Sequence, residues 1–287
     1  MIELKSFPYD LKETLYSGQA FRWREVENSS YPSLLVHQSV IGNYRVNVWD
    51  VLDNVCASSP SLDDVELKKL VSDYLRLDDD LNDIYSTFES DTFVSAAVDK
   101  YKGLHILRQD PWECLITFIC SANNNIPRIR QLVDKLCHSY GELHWDIEGS
   151  YHSFPTPERI VECGELNLRR LGLGFRAKYV FASAVRILEQ GIDLLTLRTQ
   201  DYERGLEILT AFPGVGDKVA NCVLLFSMDK LDAFPVDVWI KRVLRESYLT
   251  KADENVPDSK LRAWAQNKFG AYAGYANQYM FHKRRLD

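Results

Sequence analysis

Two residues of this 287-residue chain stand where they could do chemistry together, Lys218 and Asp237. Lys218 closes a glycine-rich run, FPGVGDK at residues 212–218. A nucleotide phosphate loop needs four residues between its glycines and a Ser or Thr after the lysine. Here Val215 alone separates Gly214 from Gly216, and Val219 follows Lys218. A dinucleotide fold needs a strand before the loop, but Leu206, Ile208 and Leu209 give residues 202–212 a helical period. The spacing therefore predicts helix, tight turn, helix. Glycines let the backbone N–H groups of Gly214, Val215 and Gly216 approach a partner, and the second helix offers its positive end. Such a turn holds a nucleic-acid phosphate without reading sequence. Lys218 falls in the first turn of that second helix, where the macrodipole opposes a cation and favours the neutral amine a nucleophile requires. Helix position alone is insufficient, so desolvation or a second cation must help.

Asp237 lies in FPVDV, residues 234–238, and is expected in the first turn of a further helix opened by Pro235. An aspartate at a helix start is ordinarily a cap. Paired with an amine nucleophile, it suits cleavage of an N-glycosidic bond, stabilising the positive charge that develops on the sugar or orienting the amine.

The elements that must position this pair read as α+β. The first hundred residues are sheet-rich: in residues 43–51, Tyr44, Val46 and Val48 alternate with Arg45, Asn47 and Trp49, the period of a half-buried strand. Residues 34–36 together with 40–41 look like its partner, and residues 21–24 like another strand. From about Asp63 the pattern turns helical, with Ile126, Ile129, Leu132, Val133 and Leu136 on one face. Thr156-Pro157-Glu158 is a helix start, and Pro257-Asp258-Ser259 another. The outline is an antiparallel sheet domain over residues 1–101, then a mostly helical body over 102–287, with the hairpin at about 202–228.

Composition limits the remaining classes. Hydrophobic content of 46% and charged content of 26% are those of an ordinary globular protein. No apolar run approaches a membrane span, and the first residues carry no secretory signal. The six cysteines include no CxxC pair, so they read as reduced packing residues rather than ligands of zinc or an iron–sulfur cluster. A net charge of −7 argues against nucleic acid at first. Residues 51–100, however, hold 12 acidic and 4 basic side chains, a net of −8, which leaves the rest of the chain at +1. The acidity belongs to one segment, and a basic face elsewhere stays open.

The hairpin with Lys218, followed by Pro-Val-Asp, resembles the catalytic signature of the helix–hairpin–helix DNA glycosylase superfamily. Residues 17–23 (SGQAFRW), 108–111 (RQDP), 118–126 (FICSANNNI) and 171–177 (LGLGFRA) narrow the resemblance to the 8-oxoguanine DNA glycosylase/lyases, in order from roughly residue 8 to residue 281. That resemblance implies a TATA-binding-protein-like sheet domain ahead of a helical glycosylase body. It implies removal of 8-oxoguanine opposite cytosine from double-stranded DNA by a monomer, with Lys218 forming a Schiff base that proceeds to β-elimination. No metal or organic cofactor is required, although hairpin carbonyls in this family often hold a monovalent cation. A prokaryotic cytoplasm is the expected location.

The matched positions imply separate roles. The Gly18 carbonyl would accept the N7–H that 8-oxoguanine has and guanine lacks, a difference of about 1–3 kcal/mol. Phe281 and Cys222 would sandwich the extruded base, and Asn123 would fill the space it leaves. Arg128 and Arg176 would bond the estranged cytosine. Four positions depart from the family pattern: Phe175 replaces a tyrosine wedge, Phe226 a methionine of the pocket wall and Trp239 a histidine near a phosphate. Asn277 stands where a glutamine reads the base edge, and Gln278 beside it is expected to point elsewhere on the helix. Two other readings compete. A noncatalytic DNA-binding hairpin leaves Lys218 and Asp237 unexplained. A sibling glycosylase for another base is disfavoured because iron–sulfur members carry clustered cysteines after the catalytic region, and no cysteine follows Cys222.

Overall fold

The computed structural model describes residues 1–5, 8–27, 34–52, 54–249 and 256–287. Five antiparallel strands form the first layer: β1 Ile2–Lys5, β2 Arg24–Val26, β3 Val36–Ile41, β4 Tyr44–Val51 and β5 Asn54–Ser58. They lie in the order β1-β5-β4-β3-β2. Val46 pairs with Ser39 and Val48 with His37 across β3 and β4, and Val48 with Ala57 across β4 and β5. Helix α1, Leu11–Tyr16, and helix α2, Asp64–Tyr74, cover the apolar face, with Leu11, Leu15, Leu67 and Val71 packed on Val46, Val48 and Ala57.

Strand β4 is buried on both faces rather than one. Its polar side is covered by a hairpin from the second half of the chain, β6 Leu143–Asp146 with β7 Gly149–His152, in a region where helices alone were expected. Arg45 pairs with Asp146 at 3.2 Å, and Asn47 donates to Glu148 at 2.9 Å. An alternating pattern shows that two faces differ in polarity, not that one faces water.

Residues 21–23 also differ from expectation, because β2 begins only at Arg24. Phe21 packs edge-on to Phe118 in the helical core, whereas Trp23 packs in the sheet core and donates to Tyr74 at 3.1 Å. A segment that serves two cores bends instead of extending.

The second layer is helical. Helices α3 Leu81–Ser86 and α4 Thr92–Lys100 precede α5 Pro111–Cys120 and α6 Ile126–Tyr140. Then come α7 Pro157–Leu168, α8 Ala177–Gln190, α9 Tyr202–Thr210, α10 Asp217–Ser227, α11 Val238–Ser247, α12 Asp258–Phe269 and α13 Ala273–Leu286. Thr156 caps α7 as its sequence predicts, and α12 starts just after Pro257. Leu81, Ile84, Phe88 and Val94 share one core with α5, α10 and α13. The acidic segment is largely used internally. Asp63, Asp80 and Asp91 cap α2, α3 and α4, and Asp73 and Asp78 pair with Arg108, which also holds Asp229 at 2.7 Å. Five of the cysteines are buried, Cys163 is partly so, and all six are free thiols.

Candidate active site

The hairpin is built by α9 and α10. Gly214 has φ +78, and a Cβ there would meet the Tyr179 ring at 2.4 Å, so the turn admits no side chain at this point. Val215 is buried beneath the turn and its N–H donates to the Phe212 carbonyl at 3.1 Å. Gly216 occupies the N-cap of α10 and supplies no capping side chain. The first N–H groups of α10 therefore have no side-chain acceptor and face outward between exposed Gly214 and Gly216.

Behind them, Arg262 of α12 pairs with Asp217 at 3.1 Å and donates to Tyr202 at 2.9 Å. Tyr202 in turn donates to Asn221 at 2.7 Å, and Asn221 donates to the Asp217 carbonyl. This buried polar set fixes α9, α10 and α12 at one register, and nothing in local sequence announces it.

Lys218 emerges on the opposite side. Its Nζ lies 3.4 Å from the Ser121 hydroxyl at the end of α5 and 5.1 Å from the Phe118 ring centroid. No carboxylate among the described residues forms an ion pair with it. One turn on, burial pushes the Cys222 thiol up, with Lys218 pulling it down and Asp237 raising it further. All three groups therefore share one electrostatic environment. Phe226, a further turn along, stacks on Phe118 with centroids 5.5 Å apart.

Asp237 is the N-cap of α11, not a member of its first turn as expected; Pro235 precedes the helix rather than opening it. Asp237 Oδ1 accepts from the backbone N–H groups of Trp239 at 2.9 Å and Ile240 at 2.8 Å. The cap uses Oδ1, and the Asp237 side chain also lines the cavity. Asn277 donates to the Pro235 carbonyl at 2.9 Å and so holds this extended segment in place.

Lys218 and Asp237 line a cavity of about 50 Å³ together with Cys222 and Phe226 of α10. Gly18 and the α13 residues Asn277, Gln278 and Phe281 complete its wall. Gln278 thus faces the site, contrary to expectation. At about 100° per residue, positions 277, 281 and 278 span roughly one apolar stripe's width, so one arc of α13 presents all three. Gln278 is 2% exposed and donates to the Ser17 carbonyl at 3.4 Å, whereas Asn277 is tied to Pro235.

Gly18 has φ +88, and a Cβ there would come within 3.0 Å of Ile126 and 3.3 Å of Phe281. Among the described residues no hydrogen bond reaches its carbonyl. Gln19 anchors it: the side chain donates to the Thr14 and His105 carbonyls and accepts from the Leu107 N–H. Gln109 donates to the Gln19 carbonyl at 2.8 Å, and its own N–H donates to the Phe226 carbonyl at 2.8 Å.

Asn123, Arg128, Phe175 and Arg176 form a separate group around the α5–α6 turn. Asn123 is exposed with φ +48, a left-handed conformation Asn tolerates. Arg128 is exposed, and Phe175 projects with 44% exposure. Arg176 is 7% exposed and donates to the Ala122 carbonyl at 2.8 and 2.5 Å and to that of Asn123 at 2.9 Å. In this structure its donors hold the turn that displays Asn123. That contact joins residues over fifty positions apart and is invisible locally. Among the described residues, no group of three or more His, Cys, Asp or Glu side chains could hold a metal ion.

Residues 1–115 match the 8-oxoguanine DNA glycosylase N-terminal domain family. Residues 116–266 match the HhH-GPD superfamily of base excision DNA repair proteins. The chain belongs to the 8-oxoguanine DNA glycosylase family of that superfamily. It is 32% identical to the N-glycosylase/DNA lyase of Saccharomyces cerevisiae, covering 95% of this chain and 82% of the yeast protein. It is 31% identical to a probable N-glycosylase/DNA lyase of Methanothermobacter thermautotrophicus, covering 96% of this chain and 94% of that one. Among solved structures, the Clostridium acetobutylicum 8-oxoguanine glycosylase/lyase bound to double-stranded DNA with cytosine opposite 8-oxoguanine superimposes with a TM-score of 0.88. That match has 32% identity and covers 97% of this chain and 92% of the other.

Proposed function

We propose that this protein removes 8-oxoguanine paired with cytosine from double-stranded DNA and cleaves the resulting abasic site by a lysine Schiff base. The observation that carries the reading is the amine of Lys218, free of any described ion pair, in one cavity with Asp237, Gly18 and Phe281. Nζ attacks C1′ of the deoxyribose, and the N-glycosidic electron pair leaves with the base, which takes up a proton. A proton passes from the attached nitrogen to O4′ as the C1′–O4′ bond breaks, giving a protonated imine. Loss of a C2′ proton then expels the 3′ phosphate. The Asp237 carboxylate stabilises the cationic sugar, and Ser121, which accepts from Nζ, orients the amine. Phe281 and Cys222 flank the extruded base, the Gly18 carbonyl meets N7–H, and Gln278 or Asn277 meets the opposite edge of the purine.

The uncapped start of α10 and the Gly214–Gly216 turn hold a backbone phosphate. Asn123, Phe175 and Arg128 enter the gap in the duplex and meet the estranged cytosine. We read the enzyme as a monomer; no described helix is long and apolar enough to cross a membrane.

Borohydride reduction during turnover tests the reading. An 8-oxoguanine:C duplex should become covalently attached to the protein, and Lys218→Gln should abolish the adduct. An equal yield from that variant would remove Lys218 as the nucleophile. Binding without any adduct from the parent chain would instead favour a noncatalytic hairpin.

A further inference from the structure

Two arginines beside Tyr16, one of them also close to Gly18, take no part in the chemistry above. Arg285 lies on α13 one turn beyond Phe281, and Arg130 in the second turn of α6; both converge on Tyr16, two residues before Gly18. Arg285 Nη2 donates to the Tyr16 carbonyl at 3.0 Å and lies 3.2 Å from His282 Nδ1. Its guanidinium carbon is 5.8 Å from the Phe281 centroid, and Nη1 is 3.4 Å from the point a Cβ on Gly18 would occupy. The Arg130 guanidinium lies 5.1 Å over the Tyr16 ring.

Neither arginine forms an ion pair among the described residues, and the Nε of each is buried without a hydrogen-bond partner. The surrounding carboxylates are otherwise placed. Glu13 contacts His282 Nε2 at 2.5 Å, while Glu25 and Asp134 act on Tyr16 and Arg130 only through the longer-range field. Burial lowers the pKa of Arg285; Glu13 opposes that shift, and the neighbouring positive charge of Arg130 adds to it. Two like charges without ion-pair partners, one over the Tyr16 ring and one on the Tyr16 carbonyl, are close enough to act on each other, a costly arrangement that an anion between them relieves.

We propose that Arg130 and Arg285 form a clamp for a phosphate of the lesion-bearing strand, engaged when the extruded nucleotide enters beside Gly18. The proposal rests on the reading that this cavity takes a flipped nucleotide. Such a nucleotide leaves its flanking phosphates beside Tyr16 and Gly18, where both guanidinium groups can donate. A purely mechanical role for Arg285, propping Phe281 against Gly18, is the competing account.

The salt dependence of binding separates the two. In a Lys218→Gln background, affinity for an 8-oxoguanine:C duplex is measured across a salt series, and the same is done with undamaged duplex. Each phosphate contact contributes about 0.9 to the slope of log affinity against log salt. Arg130→Gln and Arg285→Gln should each lower the slope by about that amount on the lesion duplex, and the double variant by about twice as much. Arg285→Lys should retain the slope, which guards against a folding defect in the glutamine variant. Undamaged duplex should show little change. Weaker binding at the parental slope would overturn the clamp in favour of the prop, and so would no change at all. An equal loss of slope on undamaged DNA would also overturn it, making the pair a general DNA contact. The test needs no chemistry, so failure of the borohydride adduct in the parent chain is read separately.

Discussion

Helices α10 and α11 start within about twenty residues of each other beside the same cavity, and their N-termini are finished in opposite ways. Asp237 closes α11, its Oδ1 accepting from two backbone N–H groups. Gly216 leaves α10 open. A capped terminus has its donors satisfied within the chain and is stabilised by about 1 kcal/mol. An open one keeps its donors and the positive end of its dipole for something outside, in the function proposed above a phosphate. Under the proposed function the difference assigns work: α10 would receive the DNA and present the amine, whereas α11 fixes the Asp237 carboxylate beside the cavity.

Removing the amine should show the largest effect. Lys218→Gln is expected to lower single-turnover base release by about 10³-fold or more. Because no ion pair is lost, its melting midpoint should stay within a degree or two of the parent. Asp237 combines two jobs that substitution can separate. Asp237→Asn keeps a good cap but removes the charge, and should slow base release about 100-fold with stability within about 0.5 kcal/mol of the parent. Asp237→Ala should show the same slowing plus a loss of about 1 kcal/mol in denaturant unfolding. If Asn and Ala variants are equally stable, the cap described for α11 contributes nothing.

The open terminus is tested from both sides. Gly214→Ala forces a methyl group toward Tyr179 at φ +78 and should cost about 1–3 kcal/mol in stability, together with DNA affinity. The smallest and sharpest change is Gly216→Ser. No atom lies within 4 Å of a Cβ there, so serine fits and can cap α10. Stability should rise by a few tenths of a kcal/mol while affinity for any duplex falls several-fold. A variant that gains on both counts would show that the hairpin's donors do not meet DNA.

What could be read in advance follows from distance along the chain. The hairpin, the two cavity-facing termini and the α+β order depend on short patterns, and Lys218, Cys222 and Phe226 recur at a helical spacing that aims them one way. Long-range partnerships were not legible. The β6–β7 hairpin turned β4 from half-buried to buried, and the carbonyls of Ala122 and Asn123 claimed the donors of Arg176. Gln278 was misplaced for another reason. Two adjacent residues on a helix can share a concave wall when the cavity is as wide as the helix face.

The hydrogen bonds of Gln19 and Gln109 have a mechanical consequence. Through them the Gly18 loop of the sheet layer is stitched to the Phe226 carbonyl on α10, the helix that carries the amine. Opening the two layers to admit a distorted duplex would strip several buried donors at once, each worth about 1–3 kcal/mol when orphaned. If the proposed function holds, we expect the protein to act as a die rather than a clasp, with the duplex bearing most of the deformation and the base pairs that yield most easily sampled first.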